Sequence, residues 1–427
     1  MPMLRNSLTA LASAVALFAS AARAEDLLEV HALARAGDPV LAAAEAARGA
    51  AREGVGIARA GLLPQWSLGW QRQRLDGGNT SRELTSRVDQ VLVDLGRIAR
   101  LRSAAARAEG QDLLLAAARQ DLAVRATSAY FRVLSATDQL ATVQANEDAF
   151  AEQVRQAESR FRTGLGAQVD IEQARTYHAL SRSNTLAARR ALGDAREALA
   201  EITGRPVETL KPLAAALPAR GPEPAERASW VERALRDNPA LRAERLAVEA
   251  SEHGLDAARA AHLPTVSLGV DSGRVNANPA LAHNGRTETT IGISVSLPLF
   301  SGGLTEATRR QAAFDRDGAR DALEQRRRQV ARATAEQFDA MQIGVAQIDS
   351  TRAAVDAADR ALKATQAGQE LGTRTMTDLL LAIQTQAQAR SAWSQARHQY
   401  VLSRLLLAQA AGSVDDAELA GINALLQ

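Results

Sequence analysis

Cysteine is absent from the 427 residues. Without it the chain builds no disulfide and no thiolate metal centre, so stability must come from packing or assembly. A bacterial lipid anchor is excluded as well, because that attachment needs a cysteine thiol. Aromatic residues are only 3% of the total, little for a membrane barrel girdled by Trp and Tyr. Beyond the first two dozen residues no stretch approaches 18 apolar positions, so no transmembrane helix is expected. The six histidines (His31, His178, His253, His262, His283 and His398) have no i, i+4 partner and no metal-ligand spacing, which argues against zinc. GVGIARAG (54–61) lacks the third glycine of a dinucleotide loop and precedes a strand pattern instead of following one. P-loop and GxSxG motifs are missing too. No catalytic residue, metal or cofactor is assigned, and an enzyme is not expected.

Net charge is also nearly missing. The chain has 51 basic and 49 acidic residues. Arg5 precedes an apolar run from Leu8 to Ala19, and Ala22-Arg23-Ala24 has the small-x-small form of a cleavage site. Residues 1–24 therefore read as a secretory signal peptide. Without Arg5 and Arg23 the remainder holds 49 charges of each sign, so the basic pI is no argument for nucleic acid. Arg326, Arg327 and Arg328 fall in a helical pattern with acids nearby and read as a solvated face.

What the chain has is a repeat. At an offset of 200, Pro39, Leu41, Ala58, Arg59, Ala60, Leu63, Pro64, Ser67, Leu68 and Gly69 recur between 238 and 269. LVDLG (92–96) matches LFSGG (299–303) at an offset of 207. TGLGAQVDIE (163–172) and LGTRTMTDLL (371–380) share a Gly-to-Asp spacing of six, with Gly164 and Gly372 offset by 208. The expected organisation is a first repeat over 25–204, a proline-rich segment over 205–225, a second repeat over 226–412 and a C-terminal tail over 413–427. Five prolines between 205 and 224 forbid a continuous helix there.

Each repeat opens with a helix (38–62 or 238–262) stopped by Pro64 or Pro264. Two strands follow. Val266, Leu268 and Val270 alternate with polar or small residues, as do Ile291, Ile293 and Val295. Trp66, Leu68 and Trp70 repeat the pattern, and Leu84, Ser86 and Val88 show it weakly. Period two with one apolar face marks a strand that is apolar on one side. Proline-free helices then run over 98–162 and 305–370. Leu122, Ala126, Ala129, Val133, Ala136, Leu140 and Val143 form a heptad seam in the first. The glycine turns reverse the chain into helices over 167–203 and 375–411. At 1.5 Å per residue a helix of that longer kind spans roughly 98 Å, about the summed length of the two shorter ones.

Four strands cannot close a barrel, and hydrocarbon does not tolerate open sheet edges. If the apolar faces meet lipid, several chains must pool strands; three would give twelve around a polar lumen. A soluble periplasmic coiled-coil scaffold or adaptor is the alternative that scarce aromatics favour.

With LPQWSLG and LPTVSLG, SLPLFSGG, the alanine-rich helices and the paired turns, the chain resembles the TolC family of outer-membrane efflux and secretion ducts. GTRTMTDLL (372–380) is the most specific part. The resemblance implies a mainly α fold with a small β part. Long antiparallel helical hairpins would form an α-barrel tunnel in the periplasm, and four strands per chain would join a trimeric twelve-stranded barrel in the Gram-negative outer membrane. It implies a homotrimer working with a periplasmic adaptor and an inner-membrane transporter, and a strand face of Trp66, Leu68, Trp70, Val266, Leu268, Val270, Ile291, Ile293 and Val295 turned to lipid. It further implies a periplasmic constriction at Asp378 and Leu381, a closed-state lock of Asp170, Arg374 and Gln369, and adaptor docking at Gly164, Leu165, Gly372 and Thr373. Leu381 and Gln369 depart from the family pattern, where an acid and an aromatic hydroxyl stand. Read from position alone, Asp378 and Asp170 could simply serve the N-terminal dipoles of their helices.

Overall fold

Proline and a short polar residue start the first helix of each repeat in the computed structural model, which describes residues 24–74, 80–276 and 285–427. The expected signal segment lies almost wholly outside them. Asp38 caps α2 (Pro39–Ala60), accepting from the Leu41 N–H at 2.8 Å. Asn238 does the same for α6 (Pro239–Ala260), accepting from Leu241 at 3.1 Å. Each proline takes the first helical position, where its missing N–H costs nothing. Two helices the periodicity did not disclose precede them, α1 (Leu27–Gly37) and α5 (Arg227–Asp237). A full capping box of Asp26 and Glu29 starts α1.

The strands are β1 (Gln65–Arg74), β2 (Thr80–Val93), β3 (Thr265–Asn276) and β4 (Thr287–Ser296), all antiparallel in the order β1-β2-β3-β4. At 14 residues, β2 is longer than its weak pattern suggested, and a register shift between Val91 and Val93 interrupts its alternation. The long helices are α3 (Leu95–Arg162) and α7 (Leu304–Glu370); the returning helices are α4 (Gln168–Thr203) and α8 (Met376–Ala410). Gly204 and Gly412, at φ 72° and 75°, end the returning helices in the left-handed conformation that glycine adopts freely. A last helix, α9 (Asp416–Asn423), starts at Asp415, whose carboxylate accepts from Glu418 N–H at 2.8 Å.

The chain divides into two compact units. One comprises residues up to Leu41 with Arg119–Ala234 and Arg332–Gln427. Its core gathers Leu27 and Val30 of α1, Tyr130 and Phe131 of α3, Leu199 of α4, Val401 and Leu405 of α8, and Leu419 and Ile422 of α9. The heptad positions Leu122, Ala126, Ala129 and Val133 are buried as their spacing demands. The proline-rich stretch is ordered by backbone and tyrosine hydrogen bonds: Tyr130 donates to Lys211 O and Tyr400 to Arg220 O, both at 2.8 Å. Residues 413–427 are tied in as well, because Leu27 N donates to Asn423 Oδ1 at 3.0 Å and Leu213 bridges Leu426.

The other unit, Ala42–Ala118 with Leu235–Ala331, holds the sheet and the helical segments that frame it. Arg48 and Arg52 of α2 both reach Asp112 of α3, and Ser103 of α3 donates to Ala250 O of α6. Among the described residues no helix is long and apolar enough to cross a membrane.

Candidate functional site

The sheet has two chemically opposite faces. Trp66, Leu68 and Trp70 stand opposite Val88, Ser86 and Leu84. Val88 continues to Val270, and Val270, Leu268 and Val266 stand opposite Ile291, Ile293 and Val295. Ser86, the one hydroxyl in this set, accepts the Trp66 indole N–H at 2.9 Å. Trp66 is 76% exposed and Ile293 69%, so the protein itself covers neither end of this apolar band. On the reverse face Ser67, Arg87, Asp271 and Thr290 run across all four strands, beside a row of Gln65, Asp89, Gly269 and Gly292. Arg87 and Asp271 form an ion pair, and the Ser267 and Ser294 hydroxyls bond at 2.7 Å. Among the described residues β1 and β4 are free edges.

The two glycine turns lie in the other unit. After α3, Gly164 takes φ 73° and Leu165 N–H donates back to Arg160 O at 2.9 Å. After α7, Gly372 takes φ 76° and Thr373 N–H donates to Gly368 O at 2.8 Å. A side chain at either positive φ would strain the backbone. Leu165 and Leu371 project from the turns at 80% and 81% exposure.

The aspartates that follow cap their own helices, unequally. Asp378 accepts from Thr375 N–H at 3.0 Å, and the Thr375 hydroxyl accepts from Asp378 N–H at 3.1 Å, a complete capping box. Asp170 accepts from Ala167 N–H at 3.4 Å, and Ala167 has no hydroxyl to reciprocate. The backbone hydrogen bond from Thr375, with its hydroxyl and the nearby Arg374 adding to it, holds the Asp378 carboxyl below the usual carboxylate range. Capping and a role at a constriction are compatible, because the cap uses one carboxylate oxygen. Met376, Leu379, Leu380 and Ile383 bury one side of α8 against Phe150, Ala157, Ile171 and Leu362. The opposite side leaves Asp378, Leu381 and Thr385 exposed at helical spacing, with Leu381 at 55%.

Arg374 is exposed, and among the described residues no ion pair joins it to Asp170 within the protomer. Its stem lies across Gly368: a Cβ there would stand 2.7 Å from Arg374 Cγ. Gln369 is buried, at 7% exposure. Gly368 is a site residue that periodicity missed; a glycine inside a helix was the available signal.

A second missed cluster joins α3 to α8. Asp138 accepts from the Ser394 hydroxyl at 2.6 Å and lies 3.2 Å from His398 Nε2. Burial pushes the His398 imidazolium pKa down to about 4, with Asp138 opposing that shift and Arg397 adding to it. Arg397 reaches Ala214 O and lies over the Trp393 ring. Among the described residues no cluster of three His, Asp or Glu could hold a metal ion.

The family model for outer membrane efflux protein matches residues 30–205 and 230–413. The outer membrane protein TolC of Vibrio cholerae is 31% identical over 432 residues, 97% of each chain. The proteases secretion protein PrtF of Dickeya chrysanthemi is 28% identical over 443 residues, covering 99% of this chain and 96% of that one. The crystal structure of the outer membrane protein VceC from Vibrio cholerae shares the fold, with TM-score 0.80 at 22% identity over 90% of this chain and 96% of that one.

Proposed function

The chain belongs to the outer membrane efflux protein family, and on that premise we propose that three copies form a passive exit duct. It serves efflux or type I secretion from the Gram-negative outer membrane. One observation carries the reading: among the described residues, an antiparallel sheet of four strands has two free edges and an uncovered apolar face. In hydrocarbon every backbone N–H and C=O needs a partner, so the edges must be closed by other strands. Two copies would give eight strands, a number at which side chains roughly fill the interior. Three copies give twelve and leave a lumen lined by the Ser67, Arg87, Asp271 and Gly269 face. A soluble scaffold would leave Trp66, Leu68, Trp70, Ile291, Ile293 and Val295 in water.

The periplasmic mouth is assigned to the glycine turns. Three copies of Asp378 form its acidic ring and Leu381 the apolar ring beside it. Arg374 of one hairpin meets Asp170 of a neighbouring one, and Gln369 belongs to the same closed-state lock. A guanidinium and a carboxylate can make a forked bond. Partly exposed pairs are worth roughly 0–1 kcal/mol each, so three copies give a bias that partner engagement can reverse. Gly164, Leu165, Gly372 and Thr373 form the docking surface for a periplasmic adaptor, which couples the duct to an inner-membrane transporter; the exposed leucines support this.

The test is extraction and reconstitution. Outer-membrane material requiring detergent, with three protein chains per particle by light scattering and ion conductance in planar bilayers, is expected. A stable single chain recovered from the soluble periplasm would sink the reading.

A further inference from the structure

The charges of the sheet are sorted by face. Its strands hold four acids, Glu83, Asp89, Asp271 and Glu288, and five arginines, Arg72, Arg74, Arg82, Arg87 and Arg274. By register and alternation all four acids lie on the reverse face, together with Arg87, the partner of Asp271. The other four arginines lie on the apolar face, where no strand residue is acidic. All four are exposed, and among the described residues none of their side chains has an ion pair or a hydrogen bond.

These arginines are also neighbours. Arg82 of β2 stands directly opposite Arg72 of β1. Arg74 pairs with Thr80 and Arg274 with Leu84, so each is a diagonal neighbour of Arg82, roughly 7–8 Å away in an antiparallel sheet. Like charges directly opposite one another destabilise strand pairing, and no carboxylate on this face offsets them. The cluster has a fixed place along the strands. β1 and β3 start, and β2 and β4 stop, next to helices, so the arginines lie toward the hairpin ends. On β1 Trp66, Leu68 and Trp70 lead to Arg72 and Arg74; on β3 Val266, Leu268 and Val270 lead through Ser272 to Arg274. Arg74 and Arg274 are 200 apart, the offset of the repeat. Trp70, 67% exposed, shares a cross-strand row with Leu84 and Arg274. Apolar, then aromatic, then cationic is the order in which a barrel wall passes from acyl chains to headgroups. An arginine on that wall costs far less near the interface than at mid-depth.

We propose that Arg72, Arg74, Arg82 and Arg274 bind the phosphate groups of an anionic lipid in the outer leaflet, whose acyl chains lie along Trp70 and the apolar band. This rests on the duct reading, which turns this face to lipid and its hairpin ends to the cell exterior. A guanidinium takes a phosphate through a forked pair of hydrogen bonds, and its weak hydration suits a headgroup layer. A phosphate held between Arg72 and Arg82 replaces their repulsion with attraction to both. Dissolved phosphate would gain those charge contacts alone. A lipid also covers the exposed apolar surface that adjoins them, and that continuity selects the lipid as occupant.

The probe is lipid A, a bisphosphorylated glycolipid, titrated into the detergent-solubilised protein beside the same lipid stripped of its phosphates. The unaltered protein should bind lipid A at least about tenfold more tightly than the stripped form. That comparison needs no variant. Inorganic phosphate at the concentration of the lipid should not displace it. Arg72→Gln with Arg82→Gln should weaken lipid A binding about thirtyfold, and either change alone about fivefold. Arg326→Gln, an equal loss of charge on a solvated helix face, should leave binding unchanged. Equal binding of the two lipids, displacement by inorganic phosphate, or a glutamine pair that binds as the parent does would each overturn the arginine site. Trimers by light scattering that still conduct would then leave the duct standing. Single chains by light scattering would overturn both.

Discussion

Arg125 grips Asp38 with both tips of its guanidinium, Nη1 to Oδ1 at 3.0 Å and Nη2 to Oδ2 at 2.8 Å, while the Asp38 side chain is only 3% exposed. The same carboxylate caps α2 through Leu41. The repeat separates these roles, since Asn238 caps α6 in the equivalent place. Asp38→Asn should therefore keep the cap and lose the ion pair. Hydrogen bonds to charged groups are worth about 1.5–3 kcal/mol, and equilibrium unfolding should show a loss in that range with helix content unchanged. The hydrogen bond from Arg125 holds the Asp38 carboxyl below its usual range. Its stabilisation is thus present above the unfolded carboxylate's pKa and disappears as pH falls through the lower folded value. The variant should lack that acid-side decline.

Arg374 and Gly368 make a paired prediction about the mouth. Arg374→Ser removes the guanidinium and should raise open-channel conductance or open probability in planar bilayers. Gly368→Ala keeps the guanidinium but puts a methyl group where the Arg374 stem runs. It should shift gating in the same direction, more weakly. Unaltered opening in both variants would remove Arg374 from the closing contact.

Asp378 is predicted to confer cation selectivity and block by divalent cations added on the periplasmic side. Asp378→Asn should abolish the block, because the amide carries no charge. An asparagine side chain can still accept from Thr375 N–H, so the start of α8 should survive. Leu381→Asp would add a second acidic ring one turn away and should strengthen the block.

The parts of this molecule governed by local rules were legible in its sequence. Pro64 and Pro264 stop helices because the ring fixes φ, and Gly164 and Gly372 turn the chain because positive φ suits glycine. The apolar alternation of β1, β3 and β4 was legible for the same reason. In β2 the shift near Val93 and the hydroxyl of Ser86 spoiled the period. Helices α1 and α5 escaped because each has 11 residues, and α5 buries only Ala234. In the second glycine turn, Asp378 was readable as an acid at the N-terminal dipole of its helix. The stem of Arg374 over Gly368 was not, since it depends on how the turn folds back. Nothing local links Asp138 to His398, 260 residues apart.

That buried pair predicts how stability changes with acid. His398 is 4% exposed, and its pKa is pushed down to about 4 in the folded protein, against roughly 6.5 for an unfolded histidine. Between those values the unfolded chain binds the proton and the folded chain does not. Stability therefore falls as pH drops from 6.5 toward 4, by about 3 kcal/mol from this group. His398→Gln keeps a donor for Asp138 and removes the titration. Denaturant midpoints measured across that pH range should flatten relative to the parent protein. A parallel slope in both proteins would mean His398 does not titrate in this way.

The sheet supplies the most direct membrane prediction. Leu268 and Ile293 are cross-strand partners at the middle of the apolar face. An arginine facing lipid at mid-depth in a barrel costs roughly 2–4 kcal/mol, and a trimer would incur that cost three times. Leu268→Arg and Ile293→Arg should each deplete assembled protein from the outer membrane and lower the temperature at which trimers dissociate in detergent. Ser267→Arg and Ser294→Arg lie one residue away on the reverse face, which the period-two alternation turns from the apolar one and which the proposed trimer directs to its lumen. They should assemble at close to normal levels and alter conductance instead. The reverse pattern, with the serine variants failing and the apolar-face variants assembling, would mean that the Trp66–Ile293 face looks inward.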